Sequence, residues 1–134
     1  MSFNRPIVRG SGGLAQPAAP GTGVLAALLA NTNSADSAQT LTAANINGGL
    51  YIRAGMTAGR TDTTDTAANI LAANPDMNVG DSFILLISVS VAFALTLAGG
   101  TGVTMGAKTV IAASGSGIVV FTKTSATTMT AVLL

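Results

Sequence analysis

Cysteine, histidine, tryptophan and glutamate are all missing from this chain of 134 residues. Without cysteine there are no disulfides, no thiolate nucleophile and no thiolate-ligated zinc. The lack of histidine removes the commonest general base and the commonest transition-metal ligand, leaving carboxylate chemistry or oxygen-ligand metal sites. Charge is scarce too: 8% of residues are charged, against about 25% in an average soluble domain. Six basic residues nearly cancel five aspartates, and one Tyr and four Phe are the only aromatics. A chain with no basic stripe and so few rings to stack on bases is not built to bind nucleic acid.

What remains is 49% apolar, so Ser, Thr, Asn, Gly and Ala must cover most of the surface. Such a surface suits a protein packed against copies of itself or a scaffold, where charges would have to be desolvated. The length allows one domain with a real core, plus an arm.

Residues 1–23 hold Pro6, Pro17 and Pro20 and a cluster of glycines. Their composition predicts an extended N-terminal arm ahead of a β-rich domain over 24–134, with no apolar leader segment of the secretory kind. On that arm Arg5 and Arg9, flanking Pro6, are either solvated charges or anchors onto an acidic partner. The patch Val24 to Ala30 reads equally as a two-turn helix or a buried strand, and Asn31 to Ser37 as a loop.

From Thr40 the spacing predicts two short strands joined at Asn47-Gly48-Gly49, with Tyr51 and Arg53 on the face opposite Leu50 and Ile52. The clearest helix signal covers about 63–74, with Asp62 or Thr64 as cap, alanines inside and Pro75 as the stop. A capping role for Asp62 and Asp65 outweighs a catalytic one.

Asp81 to Thr104 is the most apolar run. Ser88 and Ser90 alternate with Val89 and Val91, which favours paired strands closed by Gly99 to Gly102. The competing reading, a membrane span over Phe83 to Ala98, is short of the roughly 20 residues required and lacks flanking anchors. Further strands follow at 103–105, 108–113, 118–123 and 127–134, separated by Gly/Ser turns in the spacing of a meander. The last of these has Met129, Ala131 and Leu133 on one face and Thr128, Thr130, Val132 and Leu134 on the other. Because both faces are partly apolar, a subunit interface is expected there.

No constellation supports an enzyme. Gly99 to Gly102 lacks the following helix of a phosphate loop. Asp62, Asp65, Asp76 and Asp81 do not make an EF-hand pattern, so any calcium site would be irregular, and no metal or cofactor is expected. A carboxylate pair for glycoside cleavage would lack aromatic groove residues.

The order Val79-Gly80-Asp81-Ser82-Phe83, apolar strand, Leu95-Thr96-Leu97-Ala98-Gly99-Gly100-Thr101-Gly102-Val103-Thr104 and final strand from Phe121-Thr122-Lys123-Thr124 to Leu134 resembles small β-sandwich modules of tailed-bacteriophage structural proteins. These modules occur in capsid decoration (cement) proteins, tail fibres and spikes. The resemblance covers residues 78–134 and implies no catalytic residue. It implies a virion protein on the capsid surface, a homo-oligomer, as a trimer, clamping major capsid protein subunits. A receptor- or glycan-binding module of a fibre or spike is the alternative, touching the host through Asn45 to Gly49 or Gly99 to Gly102.

The expectation is therefore a mainly β protein, a small antiparallel β-sandwich or barrel with one short helix at about 63–74 and an extended N-terminal arm. Partner contacts are expected at Arg5, Pro6, Arg9, Met129, Ala131 and Leu133, with neither nucleic acid nor membrane as partner.

Overall fold

A computed structural model describes residues 28–134. Among them the chain is mainly β, with ten strands in two sheets and two short helices. In order the elements are β1 (Leu29–Asn33), β2 (Thr40–Leu41), α1 (Ala43–Gly48), β3 (Gly49–Arg53), β4 (Arg60–Thr64) and α2 (Ala67–Ala72). They continue with β5 (Ser82–Val89), β6 (Leu95–Ala98), β7 (Val103–Met105), β8 (Val110–Ile111), β9 (Ser116–Lys123) and β10 (Met129–Leu133).

The six-stranded sheet has the order β1-β3-β5-β9-β10-β7 and the four-stranded sheet β2-β4-β6-β8. From β1 to β9 the chain alternates between the sheets at every step. β1, β3 and β5 pair parallel, as do β2, β4 and β6, each strand reached by way of the opposite sheet, whereas β8, reached from β6 by way of β7, pairs antiparallel to it. The expectation of a wholly antiparallel sheet is thereby corrected. Five of the eight strand pairs are parallel and three are antiparallel. Turn residues announce that a chain reverses, but not which sheet it reverses into.

The alternation between sheets also corrects the central stretch. Ser82–Val89 and Leu95–Ala98 are strands, yet β5 and β6 lie in different sheets and form no hairpin with each other. No described helix is long and apolar enough to cross a membrane. Likewise Gly99 to Gly102 leads from the four-stranded sheet to β7 in the six-stranded one, instead of closing a hairpin.

Three local readings change element type. Asn45 to Gly48 lies in α1, whose start is a capping box. The Thr42 hydroxyl accepts from the Asn45 N–H, and the Asn45 side chain accepts from the Thr42 N–H. Gly49, at φ 87°, ends that helix in the left-handed conformation that glycine adopts without penalty. The glycine signal was sound, but it marks a helix end. The second helix is shorter than the expected 63–74, because Asp62 to Thr64 belong to β4 and Thr66 is the cap. Asn31 to Asn33, expected in a loop, are drawn into β1 by parallel pairing with Tyr51 to Arg53.

One core fills the space between the sheets. Tyr51, Leu85, Ile87, Val119, Phe121, Met129 and Ala131 enter it from the larger sheet, and Leu41, Leu95, Leu97 and Ile111 from the smaller. Ile46 of α1 and Ile70 of α2 close one side. Phe83 stacks on Phe121, with ring centroids 5.3 Å apart.

Candidate functional site

The alternation of β3 puts Tyr51 and Arg53 on the face opposite Leu50 and Ile52, and it is Tyr51 and Arg53 that are buried. Arg53 can enter the core because Asp62 of β4 meets it there. Arg53 Nε donates to Asp62 Oδ2 over 2.7 Å, with both side chains 0% exposed. The rest of the guanidinium donates to the carbonyls of Ala35, Ala54 and Ser37, and Asp62 Oδ1 accepts from the Gln39 N–H at 2.9 Å. One buried pair thus joins the two sheets and fixes the β1–β2 loop. The Tyr51 hydroxyl donates to the same carboxylate at 3.4 Å. Burial, and then the Asp62 charge, push its pKa up to about 12. Asp62 is therefore no helix cap, and every contact it makes is with protein groups already committed to the fold.

Three of the other aspartates are engaged separately. Asp65 accepts from the N–H groups of Ala43 and Thr66, which start α1 and α2, and from the Asn69 amide. Asp36 accepts from Thr57 and from Arg60, and Asp81 from the Asn78 N–H. Among the described residues no three acidic side chains gather as a metal site would need. The loop Gly99 to Gly102 is likewise engaged inside the fold. The Gly100 N–H donates to the Thr64 hydroxyl at 2.9 Å, and the Thr101 carbonyl accepts from Ala67 at 2.8 Å.

Among the described residues, what is left uncovered is the outer face of the six-stranded sheet. With Leu85, Ile87, Val119, Phe121, Met129 and Ala131 turned inward, the intervening residues must turn outward. Strand register arranges them in rows. Ser82, Thr122, Thr130 and Thr104 form a row of hydroxyls across β5, β9, β10 and β7, in which Ser82 and Thr122 are hydrogen-bonded at 2.7 Å. Beside it run Ile84, Val120 and Val132. Next come Ala30, Leu50, Leu86 and Ile118, then Thr32, Ile52, Ser88 and Ser116. Ile84 is 53% exposed, Val132 42% and Leu134 62%. None of these outward positions carries a charge. A shallow cavity of about 510 Å³ opens on this face among Leu50, Leu86, Ser88, Ser116, Ile118 and Leu134. A contiguous apolar patch of this kind marks an interaction surface more often than a lone exposed leucine does.

The partner residues expected from the sequence fall in two groups. Arg5, Pro6 and Arg9 lie outside the described residues. Met129, Ala131 and Leu133 are buried in the core, and the residues of β10 that face outward are Thr130 and Val132. Alternation alone shows that one set faces inward; which set it is depends on where the second sheet lies. A second cavity, of about 490 Å³, lies between the end of α2 and β5, where Asn74, Asp76, Asp81 and Phe83 line it.

Comparison of the chain with protein-family models, with curated proteins and with solved structures finds no match.

Proposed function

We propose that this chain is a structural protein of a phage virion, a decoration protein that associates with itself and bridges neighbouring subunits of the major capsid protein on the outside of the head. The observation that carries this reading is the uncharged outer face of the six-stranded sheet, with Ile84, Val120, Val132, Leu86 and Ile118 side by side. Burying such a face against copies of itself releases water without stranding a charge, which is how a cement protein would gain stability by self-association. Several such contacts per assembly combine through high effective concentration, so each can be weak. Catalysis plays no part in this reading, because the buried aspartate and arginine are engaged with one another.

A second reading, recognition of a glycan by a fibre or spike module, is favoured by the cavity at Asn74, Asp76, Asp81 and Phe83. Carboxylates, an amide and a ring edge in one depression are groups that sugars use. Locating the protein in an electron-microscopy map of its parent particle separates the two. Density bridging capsid subunits is expected for decoration, density at the tail tip would favour glycan recognition, and absence from the particle would sink both.

A further inference from the structure

We infer that the outer face of the six-stranded sheet is the seat of a second copy of this chain, packed sheet against sheet about a two-fold axis. The inference rests on the reading of the protein as self-associating and names the surface and the symmetry through which it does so.

Four features of the face point to a copy of itself as occupant. A two-fold axis brings the residues close to it against their own counterparts, so a charge near the axis would meet a like charge. The outward positions of β1, β3, β5, β9, β10 and β7 have none. The polar groups that do occur there are hydroxyls, as in Ser82, Thr122 and Thr130. A hydroxyl both donates and accepts, so it can pair with another of its kind, as Ser82 and Thr122 already do within one chain. The area suffices as well. Six strands at about 4.8 Å spacing, of three to eight residues at about 3.3 Å each, make a face of roughly 540 Å². Two such faces would bury about 1,100 Å², above the roughly 1,000 Å² that a specific interface should clear. The side chains, finally, are of the kind that interdigitate when two sheets stack, with β-branched Ile84, Val120, Val132 and Ile118 at the centre.

Two-fold packing gives a dimer, whereas the family resemblance implies a trimer, so mass decides between them. Sedimentation of the full chain from micromolar to millimolar concentration should show a dimer. Val120→Lys, at the centre of the face, should convert it to a monomer with an unchanged far-ultraviolet circular dichroism spectrum. Thr61→Lys, which adds the same charge at the exposed Thr61 position of β4 in the other sheet, should leave the dimer intact. If Val120→Lys fails to fold, a spin label at Ser82→Cys gives a second readout, since the chain has no other cysteine. Dipolar coupling between labels of two copies is then expected. A monomer throughout, a trimer indifferent to Val120→Lys, or no coupling between labels would overturn the inference. Binding of the same variants to purified phage heads is measured separately. Loss of the dimer with retained head binding would leave the decoration reading standing, and a dimer without head binding would leave this inference standing alone.

Discussion

Arg53 and Asp62 meet 2.7 Å apart in the middle of the protein, one from each sheet, and neither is reached by solvent. In a chain with so few charges, a complete ion pair in the core is the most specific tie between the sheets. Each charge is tolerable only because the other, together with the loop carbonyls and the Gln39 N–H, replaces its water.

Removing one partner should therefore cost far more than removing both. Arg53→Met leaves Asp62 buried without its counter-ion, and Asp62→Leu leaves the guanidinium so. Each is expected to lower stability by about 3–5 kcal/mol in urea unfolding. The double variant Arg53→Met/Asp62→Leu should regain a substantial part of that loss, because two apolar side chains then fill the space. A double variant as unstable as the sum of the singles would show that the pair contributes through the loop carbonyls alone.

Acid should weaken the fold through aspartates at the surface. Two hydrogen bonds from Thr57, from its hydroxyl and its N–H, and then the Arg60 guanidinium hold the Asp36 carboxyl well below the usual carboxylate range. Partial burial by itself raises the pKa of Asp65, but bonds from Asn69, Ala43 and Thr66 outweigh it and the net direction is down. A carboxylate with a lower pKa folded than unfolded binds protons more weakly when folded. Its contribution is complete above the ordinary value of 3.8 and is lost as pH falls through the folded value. The melting temperature should thus be flat from about pH 7 to about pH 5 and fall below that. Asp36→Asn should make the acid decline shallower, and an unchanged pH profile in that variant would contradict the assignment.

Glycine at position 100 should tolerate no side chain. A Cβ there would press on the backbone of Thr64 and Asp65, the turn that leads from β4 into α2. The Gly100 N–H is also tied to the Thr64 hydroxyl at 2.9 Å. Gly100→Ala is expected to cost about 1–3 kcal/mol, the range for forcing extra atoms into a packed site. Gly80 has open space about its Cα but sits at φ 96°, so Gly80→Ala reports backbone strain without a clash. The comparison of the two melting curves separates the causes, and Gly100→Ala should be the worse.

Much of this was legible in the sequence, and the part that was not has a common physical cause. Strand positions from Ser82 onward follow from β-branched runs between Gly/Ser turns, and the alternation of Leu50, Tyr51, Ile52 and Arg53 gives the two faces that the structure has. Which face is inside was not legible. An arginine on the core side is intelligible only once Asp62, in a different strand, is known to meet it. The same holds for Asp62 itself, which local spacing makes a helix cap and long-range pairing makes an ion-pair partner. Parallel pairing was hidden for a related reason, since nothing between β3 and β5 states that the intervening β4 joins another sheet. The low charge of the outer face of the six-stranded sheet is legible in the composition, whereas its location required the register of β5, β9 and β10.

That register makes the last strand the sharpest test. Met129, Ala131 and Leu133 pack inside, while Val132 stands 42% exposed beside Val120 and Ile84. Met129→Ala empties part of a core shared with neighbouring side chains and should lower stability by about 2–5 kcal/mol. Val132→Thr, one residue from two of the core positions, keeps the shape of an exposed side chain and should change monomer stability by no more than about 0.5 kcal/mol. Self-association should respond in the opposite order, weakened by Val132→Thr and, at temperatures where the fold persists, little altered by Met129→Ala. Urea unfolding of dilute protein reads the first effect and sedimentation of concentrated protein the second. Were Val132→Thr to destabilise the dilute monomer as much as Met129→Ala, the outer face would be part of the core and no interface would remain to assign.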